Sequence, residues 1–195
     1  MLRTTLRASF VLLALAMTAC GGKTAARAGF IPRNVPMMEA KGDEQTQQFK
    51  AKGFKLSDYG KVSVESVSVS RQVDIELKPE DFEDLRGRFQ KSLQAALEKA
   101  GGTGDRTLVV RGEITAIKPN KPMLNVAPQT QLLKRGYGYA ACEIFATDGN
   151  GGAVVAAWMN TMDTQRFGSE KLSELGTARK ACEEWGPAFR KFLAE

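Results

Sequence analysis

The sequence lacks histidine, and it has only three cysteines among its 195 residues. Without imidazole it has neither the commonest general base nor the histidine ligands of zinc sites, and Ser-His-Asp or Cys-His nucleophilic catalysis is excluded. Two thiols without histidine, those of Cys142 and Cys182, also make a poor metal site. The composition therefore predicts a protein with no metal ion, no cofactor and no catalytic residue of the familiar hydrolase kinds.

Long hydrophobic runs are also missing from the sequence. Its one apolar run near the start, residues 10–17, is shorter than the roughly 20 apolar residues that a membrane-spanning helix needs. This run follows the basic residues Arg3 and Arg7 and precedes small residues, a pattern typical of a secretory signal peptide. We therefore predict a signal peptide over residues 1–19, which processing removes.

Cys20 stands directly after this run, preceded by Thr18 and Ala19 and followed by Gly21. The pattern resembles the lipobox of bacterial lipoproteins, although Met17 occupies a position where leucine is usual. The resemblance implies a mature N-terminus at Cys20 that carries lipid, diacylglycerol together with palmitate. Gly21, rather than an aspartate, favours the outer membrane over the inner membrane. The alternative is an ordinary cleaved signal with an incidental cysteine.

Positive charge exceeds negative charge only mildly. The chain has 28 Lys and Arg against 22 Asp and Glu, and 26 against 22 once Arg3 and Arg7 leave with the signal peptide. A net charge of about +4 is far from the dense basic patches of nucleic-acid-binding proteins. We expect no nucleic acid partner.

Residues 20–53 show no sustained apolar period and include Pro32 and Pro36. Such a segment is typical of a flexible tether, and a flexible coil of this length reaches roughly 30 Å. We therefore predict a lipidated N-terminus with a tether over residues 20–53 and a single domain over residues 54–195.

The domain shows both strand and helix signals. Alternating apolar residues predict strands, and apolar residues at helical spacing predict helices. The predicted order is a strand over 61–70 with a bend at Glu65 and Ser66, a helix over 79–100, strands over 106–117, 137–147 and 153–162, and a helix over 172–193 that Gly186 and Pro187 should kink or break. A Gly-rich segment over 148–152 predicts that the last two strands form an antiparallel hairpin.

These elements predict an α+β fold in the order β-α-β-β-β-α. We expect both helices to pack on one face of a single mixed or antiparallel sheet of about four strands. The other face of the sheet would then stay partly open to water or to a partner.

Cys142 and Cys182 are expected to point into the same core, because one lies on the apolar face of a predicted strand and the other on the apolar stripe of the last helix. In the periplasm such a pair is a candidate disulfide. Closing a loop of about 40 residues would stabilise the fold by roughly 3 to 4 kcal/mol. The alternative is a pair of buried free thiols that pack as small hydrophobic residues.

A long predicted loop between two strands is flanked by four basic residues: Lys118, Lys121, Lys134 and Arg135. Loops of this length are uncommon unless they serve a function or are disordered. One interpretation is a basic contact with an anionic envelope partner such as peptidoglycan or lipopolysaccharide. The other is a solvated hairpin tip.

Glu113 and Glu143 are the residues that an enzyme relying on carboxylates alone would use, because both lie in otherwise apolar strands. Glycoside hydrolases use two such acids beside the bond that they cleave. The alternative function is therefore a carboxylate-dependent enzyme that acts on cell-wall or lipid material. Each glutamate is otherwise a residue on the solvent-facing side of its strand.

Several stretches together resemble one family of bacterial lipoproteins. They are residues 54–59 before the first strand, 114–122 leading into 124–126, 136–143, Asp148 with Gly149, and Trp185 in the closing helix. Their order and spacing make residues 53–195 similar to the lipoproteins catalogued as domain of unknown function 3313. The resemblance implies an envelope lipoprotein with a compact α/β domain, and it assigns no reaction and no catalytic residue.

The sequence therefore predicts a non-enzymatic, lipid-anchored outer-membrane lipoprotein that faces the periplasm. One partner is the membrane, reached through the lipid on Cys20. The domain is expected to bind an envelope protein or peptidoglycan. A further alternative is a scaffold that assembles oligomers through an exposed sheet face or edge.

Overall fold

The computed structural model describes residues 27–70, residue 73, and residues 77–122, 136–166 and 172–195. Within these residues the chain forms seven strands, two α-helices and two short 3-10 turns, at Leu56–Asp58 and Thr164–Arg166. The strands and α-helices are, in chain order, β1 (Met38–Ala40), β2 (Asp43–Lys50), β3 (Tyr59–Val64), β4 (Ser68–Val69), α1 (Pro79–Leu97), β5 (Arg106–Lys118), β6 (Tyr139–Asp148), β7 (Val154–Asp163) and α2 (Gly176–Ala194).

The seven strands of the described residues form one sheet in the order β1-β2-β7-β6-β5-β3, and β4 pairs with β5 on the same side as β3. β3 and β4 run parallel to β5, and all other neighbouring strands are antiparallel. The predicted α+β class with two helices and a mixed sheet is confirmed. The prediction of about four strands is wrong, because the sheet has seven.

Two of the additional strands, β1 and β2, lie in the segment that the sequence predicts as a tether. β2 reads Asp-Glu-Gln-Thr-Gln-Gln-Phe-Lys, and no apolar alternation marks it as a strand. Backbone pairing with β7 holds it instead, from Thr46 opposite Asn160 to Lys50 opposite Ala156. Gly42, with a φ of +81°, forms part of the tight turn from β1 to β2. Residues 38–50 therefore belong to the sheet and not to a tether.

The predicted strand over 61–70 is interrupted where its apolar alternation changes phase. β3 ends at Val64 and β4 begins at Ser68. Between the two strands the Val67 N–H donates to Oε1 of Gln90 in α1 at 2.7 Å, and the Val67 side chain is buried. The interruption thus lets the chain place Val67 in the core beside α1.

The predicted antiparallel hairpin of β6 and β7 is confirmed. The two strands pair from Tyr139 opposite Asp163 up to the turn. Gly149 and Gly151 in this turn have φ values of +69° and +77°, which glycine adopts at no steric cost.

Both helices pack on one face of the sheet. Four alternate residues of β6 point toward them and are buried: Ala140, Cys142, Ile144 and Ala146. α1 contributes a buried stripe at helical spacing, made of Leu85, Phe89, Leu93 and Leu97. The ring of Phe89 meets the ring of Trp185 in α2 edge to face, with centroids 5.0 Å apart. A single core therefore joins α1 and α2 to the sheet.

Gly186 and Pro187 do not break α2, which is continuous over Gly176–Ala194. Pro187 has no N–H to donate to the Glu183 carbonyl, and the Ser92 hydroxyl of α1 donates to that carbonyl at 2.7 Å instead. The Gly186 N–H in turn donates to Ser92 Oγ at 3.2 Å. A Cβ at residue 186 would lie 2.3 Å from the Ser92 carbonyl oxygen, so glycine permits the close approach of the two helices.

Candidate functional site

Residues 27–37, which we call the strap, lie across the sheet face opposite the helices. Ile31 and Val35 of the strap are buried. They pack with three residues of the sheet: Phe145, Ala157 and Met159. The Phe30 ring also contacts the Phe145 ring, with centroids 5.1 Å apart. The strap therefore covers part of the face that the sequence predicts to be open, and it does so with residues that the sequence assigns to the tether.

Glu143 of β6 fixes the strap to the sheet. Its side chain is 0 % exposed, and its carboxylate accepts hydrogen bonds from the backbone N–H groups of Ala28 and Ile31, the latter at 2.7 Å. Hydrogen bonds from N–H groups to a carboxylate are charge-assisted and stronger than those between neutral groups. The strap thus supplies the donors that compensate a buried negative charge, and its removal would leave that charge unpaired.

Arg27 forms hydrogen bonds within the strap. Its guanidinium donates to four backbone carbonyls within residues 31–35, with Nη1 at 3.1 Å from the Val35 oxygen. Backbone carbonyls in an irregular segment need such partners when they leave water. Arg27 and Glu143 together satisfy backbone groups of the strap that have no strand or helix partner.

Glu113 of β5 lies directly opposite Glu143, so the two carboxylates predicted for acid-base chemistry are neighbours in the sheet. Glu113 is half-buried, and its Oε1 accepts a hydrogen bond from Ser68 Oγ at 3.0 Å. Burial raises the pKa of Glu113, the Ser68 hydrogen bond opposes the rise, and the charge of Glu143 adds to it. Because Glu143 lies beneath the strap, the pair offers a substrate access to one carboxylate at most.

Asn120 joins the ends of β5, β6, β7 and α2, and the sequence does not single it out. Its Oδ1 accepts hydrogen bonds from the Gly138 N–H at 2.9 Å, Thr164 Oγ1 at 2.7 Å and Thr177 Oγ1 at 3.1 Å. Its Nδ2 donates to the Ser173 carbonyl at 2.7 Å. A Cβ at residue 138 would lie 2.6 Å from Asn120 Oδ1, so a glycine is needed there. Both Asn120 and Gly138 lie in stretches that carry the family resemblance, which is the signal that points to them.

The predicted basic contact is divided between described and undescribed residues. Lys118 and Lys121 are exposed beside the buried Asn120. Lys134 and Arg135 lie outside the described residues. A basic contact with an anionic envelope partner stays a prediction.

Cys142 and Cys182 are buried in the core between the sheet and α2, as the sequence predicts. Both are free thiols, and the candidate disulfide between them is not formed. Burial raises the pKa of both thiols well above the ordinary value of a cysteine. In this state the two residues pack as small hydrophobic side chains and carry no reactive thiolate.

Cys20 and the signal peptide lie outside the described residues, and lipid attachment therefore stays a prediction. Among the residues that are described, no helix is long and apolar enough to cross a membrane. The same residues contain no group of three or more side chains that could hold a metal ion.

Several concave surfaces of the described residues border α2. An open groove of about 820 Å³ runs between the two helices, and its lining includes Gly87, Lys91, Ala95 and Pro187. A smaller cavity of about 260 Å³ lies between α2 and β2, and its lining includes Thr46, Gln48, Trp158 and Asn160.

Comparison with known proteins gives one family and several distantly similar solved structures. The family described as "Protein of unknown function (DUF3313)" matches residues 34–189. No curated protein matches the chain. The PelC dodecamer from Paraburkholderia phytofirmans is 15% identical, with a TM-score of 0.43, over 73% of this chain and 96% of that chain. The hypothetical protein CT253 from Chlamydia trachomatis is 13% identical, with a TM-score of 0.35, over 69% of this chain and 98% of that chain.

Proposed function

The chain belongs to the family of proteins of unknown function DUF3313, and we propose that it is a lipid-anchored lipoprotein of the outer membrane whose domain faces the periplasm. In this proposal the lipid on Cys20 holds the protein at the membrane. The domain binds a protein or a polymer of the cell envelope and catalyses no reaction.

The observation that carries the attachment is the short distance in sequence between Cys20 and the strap. Arg27 follows Cys20 by seven positions, and from Ala28 onward the chain is bound to the sheet through Glu143. Because the chain is bound to the core so soon after Cys20, a lipid on this cysteine would hold the domain close to the membrane. This arrangement supports a domain that is held at a membrane.

The state of Glu143 favours binding over chemistry. A general acid or base must reach its substrate within hydrogen-bond distance. The Glu143 carboxylate is instead buried and occupied by the N–H groups of Ala28 and Ile31.

Lipid attachment is tested by growing cells with labelled palmitate and comparing wild type with Cys20→Ala. We expect the wild-type protein to carry the label and to sediment with the outer membrane. The Cys20→Ala variant should lose both properties, whereas Cys142→Ala, which removes a buried thiol, should keep them. Equal labelling of wild type and Cys20→Ala would contradict the anchor.

Binding is tested by crosslinking the lipidated protein in its own cell envelope and identifying the products by mass spectrometry. We expect a specific protein or peptidoglycan adduct that disappears in Cys20→Ala, because the unanchored domain leaves the membrane. A lipidated protein that crosslinks to nothing in the envelope would contradict the binding function.

The alternative of a carboxylate-dependent enzyme keeps one observation in its favour, the adjacency of Glu113 and Glu143 across β5 and β6. It is tested by incubating the purified protein with peptidoglycan and with envelope lipids. If the protein cleaves either material and Glu113→Gln abolishes the cleavage, the protein is a carboxylate-dependent enzyme rather than a binding module. We expect no cleavage.

A further inference from the structure

The chain between the proposed lipid and the folded domain is short. It runs from Cys20 to Arg27, which is seven positions. Fully extended, it spans at most about 25 Å at roughly 3.3 to 3.6 Å per residue. As a flexible coil its root-mean-square length is about 13 to 16 Å.

The domain is larger than this reach. A chain of the size of residues 27–195 has a radius of gyration of about 15 Å, so the domain measures roughly 40 Å across. The strap lies on one face of the sheet and both helices lie on the other. A helix adds roughly 10 Å of thickness beyond the sheet, so a lipid tied to the strap by so short a chain draws the strap face toward the bilayer.

The chain is bonded to the sheet and to itself from Arg27 onward. Glu143 binds the N–H groups of Ala28 and Ile31, and Ile31 is fully buried. Arg27 holds the carbonyls of residues 31–35. A lipid on Cys20 therefore restrains the face of the sheet that the strap covers.

The charge of this part of the sequence suits a bilayer surface. From Cys20 to Met38 the sequence has three basic residues, Lys23, Arg27 and Arg33, and no acidic residue. Arg33 is exposed on the strap and has no ion-pair partner among the described residues. Basic residues next to a lipid anchor are attracted to anionic headgroups.

We propose that the strap face of the sheet lies against the headgroups of an anionic bilayer, with Arg33 in contact with lipid phosphates and with α1 and α2 turned away from the membrane. This orientation rests on the proposed lipid anchor at Cys20. It leaves the groove between α1 and α2 and the cavity between α2 and β2 pointing into the periplasm or to its sides. The surface that meets the membrane is thereby distinguished from the surfaces that remain for another partner.

The orientation is tested with the lipidated full-length protein in vesicles of phosphatidylethanolamine and phosphatidylglycerol that contain a lipid with a nitroxide headgroup. A fluorophore is attached either to Asn34→Cys on the strap or to Ala95→Cys on α1, both of which are exposed positions. Cys142 and Cys182 are buried and do not compete for the label. We expect quenching at position 34 to exceed quenching at position 95 by several-fold, and equal or reversed quenching would overturn the orientation.

Two further variants separate the causes of the expected difference. Inserting about twenty Gly and Ser residues after Gly22 should equalise the quenching at positions 34 and 95, because a longer coil no longer orients the domain. Arg33→Glu should lower the quenching at position 34 in anionic vesicles and not in vesicles of phosphatidylcholine alone. Unchanged quenching in the anionic vesicles would overturn the contact between Arg33 and lipid phosphates.

Flotation of the same vesicles distinguishes failure of the orientation from failure of the anchor. If the wild-type protein floats with the vesicles and the two positions are quenched equally, the orientation is wrong and the anchor stands. If the wild-type protein floats no better than Cys20→Ala, the anchor is wrong and the orientation falls with it.

Discussion

Ser92, Gly186 and Pro187 show how single residues set the distance between the two helices. The proline removes one helical N–H, the serine hydroxyl takes over the freed carbonyl, and the glycine leaves room for the serine backbone. Helix propensity does not explain Gly186 and Pro187, because it disfavours glycine and proline inside a helix. The three residues are explained together by the contact between α1 and α2.

The contact predicts opposite effects for two glycine substitutions in helices. Gly186→Ala should lower the free energy of unfolding by about 1 to 3 kcal/mol, because its Cβ would meet Ser92 backbone atoms. Gly87→Ala, at an exposed α1 position with nothing within 4 Å of the added Cβ, should raise it by about 0.5 to 1 kcal/mol. Urea denaturation measures both values, and a neutral Gly186→Ala would contradict the close approach.

The two core cysteines predict a specific pattern of thiol reactivity. Burial raises the pKa of both thiols, so neither Cys142 nor Cys182 should react with a thiol reagent in the folded protein at pH 8. After unfolding without a reductant, both should be alkylated, since they are free. Mass spectrometry of the lipidated protein measures the alkylation. Alkylation that requires prior reduction would instead establish the disulfide.

At the scale of elements, the strap is held both by its apolar contacts with Phe145, Ala157 and Met159 and by hydrogen bonds to Glu143. Glu143 is the side chain that accepts hydrogen bonds from the strap backbone. In Glu143→Gln one carboxylate oxygen becomes an amide nitrogen, which cannot accept a hydrogen bond from an N–H group. One of the two strap donors then loses its partner.

Glu143→Gln should therefore speed hydrogen exchange at the Ala28 and Ile31 amides by about tenfold, which corresponds to about 1.4 kcal/mol. The matched control is Glu113→Gln, since Glu113 bonds to Ser68 and not to the strap. It should leave exchange at these two amides unchanged. Equal exchange in the wild type and in Glu143→Gln would show that the strap is held by its apolar residues alone.

The pairing of the helices predicts a pH dependence of stability. Partial burial alone would raise the pKa of Asp84, but hydrogen bonds from Arg179 and Arg88 outweigh it and hold the pKa below the ordinary value of 3.8. A lowered pKa in the folded protein contributes stability that is complete above the ordinary pKa and is lost as the pH falls through the lowered one.

Asp84→Asn should consequently lower the free energy of unfolding at neutral pH by up to about 1 kcal/mol, as expected for a partly exposed ion-pair network. The difference from the wild type should shrink as the pH falls below about 4 and then disappear. Glu80→Gln, in the first turn of α1, is the control and should show no such trend. Urea denaturation over a pH series measures the difference, and a constant difference would contradict the role of the carboxylate charge.

How far the sequence predicts these elements depends on where their stabilising contacts lie. α1 is predictable because Leu85, Phe89 and Leu93 repeat at helical spacing within one segment. β2 is not, because its polar residues are held in the sheet by backbone bonds to β7, which is distant in sequence. The strap is equally hidden, since its partner Glu143 follows Ile31 by 112 positions and the bond uses a backbone N–H.

At the scale of the whole molecule, the strap and the two strands β1 and β2 change the meaning of the N-terminal region. The sequence predicts a tether over residues 20–53, which would let the domain stand well clear of the bilayer. With residues 27–50 packed on the domain or paired in its sheet, the connection after Cys20 is short enough to set the orientation of the domain. The lipid on Cys20 would thus hold the strap face of the sheet at the membrane.

The central claim is that this domain is held at the membrane through a lipid on Cys20, and mass spectrometry of the N-terminal peptide tests it most directly. The protein is purified from its own cell envelope in detergent and digested, and the first peptide is identified. We predict that this peptide begins at Cys20 and carries the added mass of diacylglycerol. A mature protein that begins elsewhere, or a peptide with unmodified Cys20, would contradict the claim.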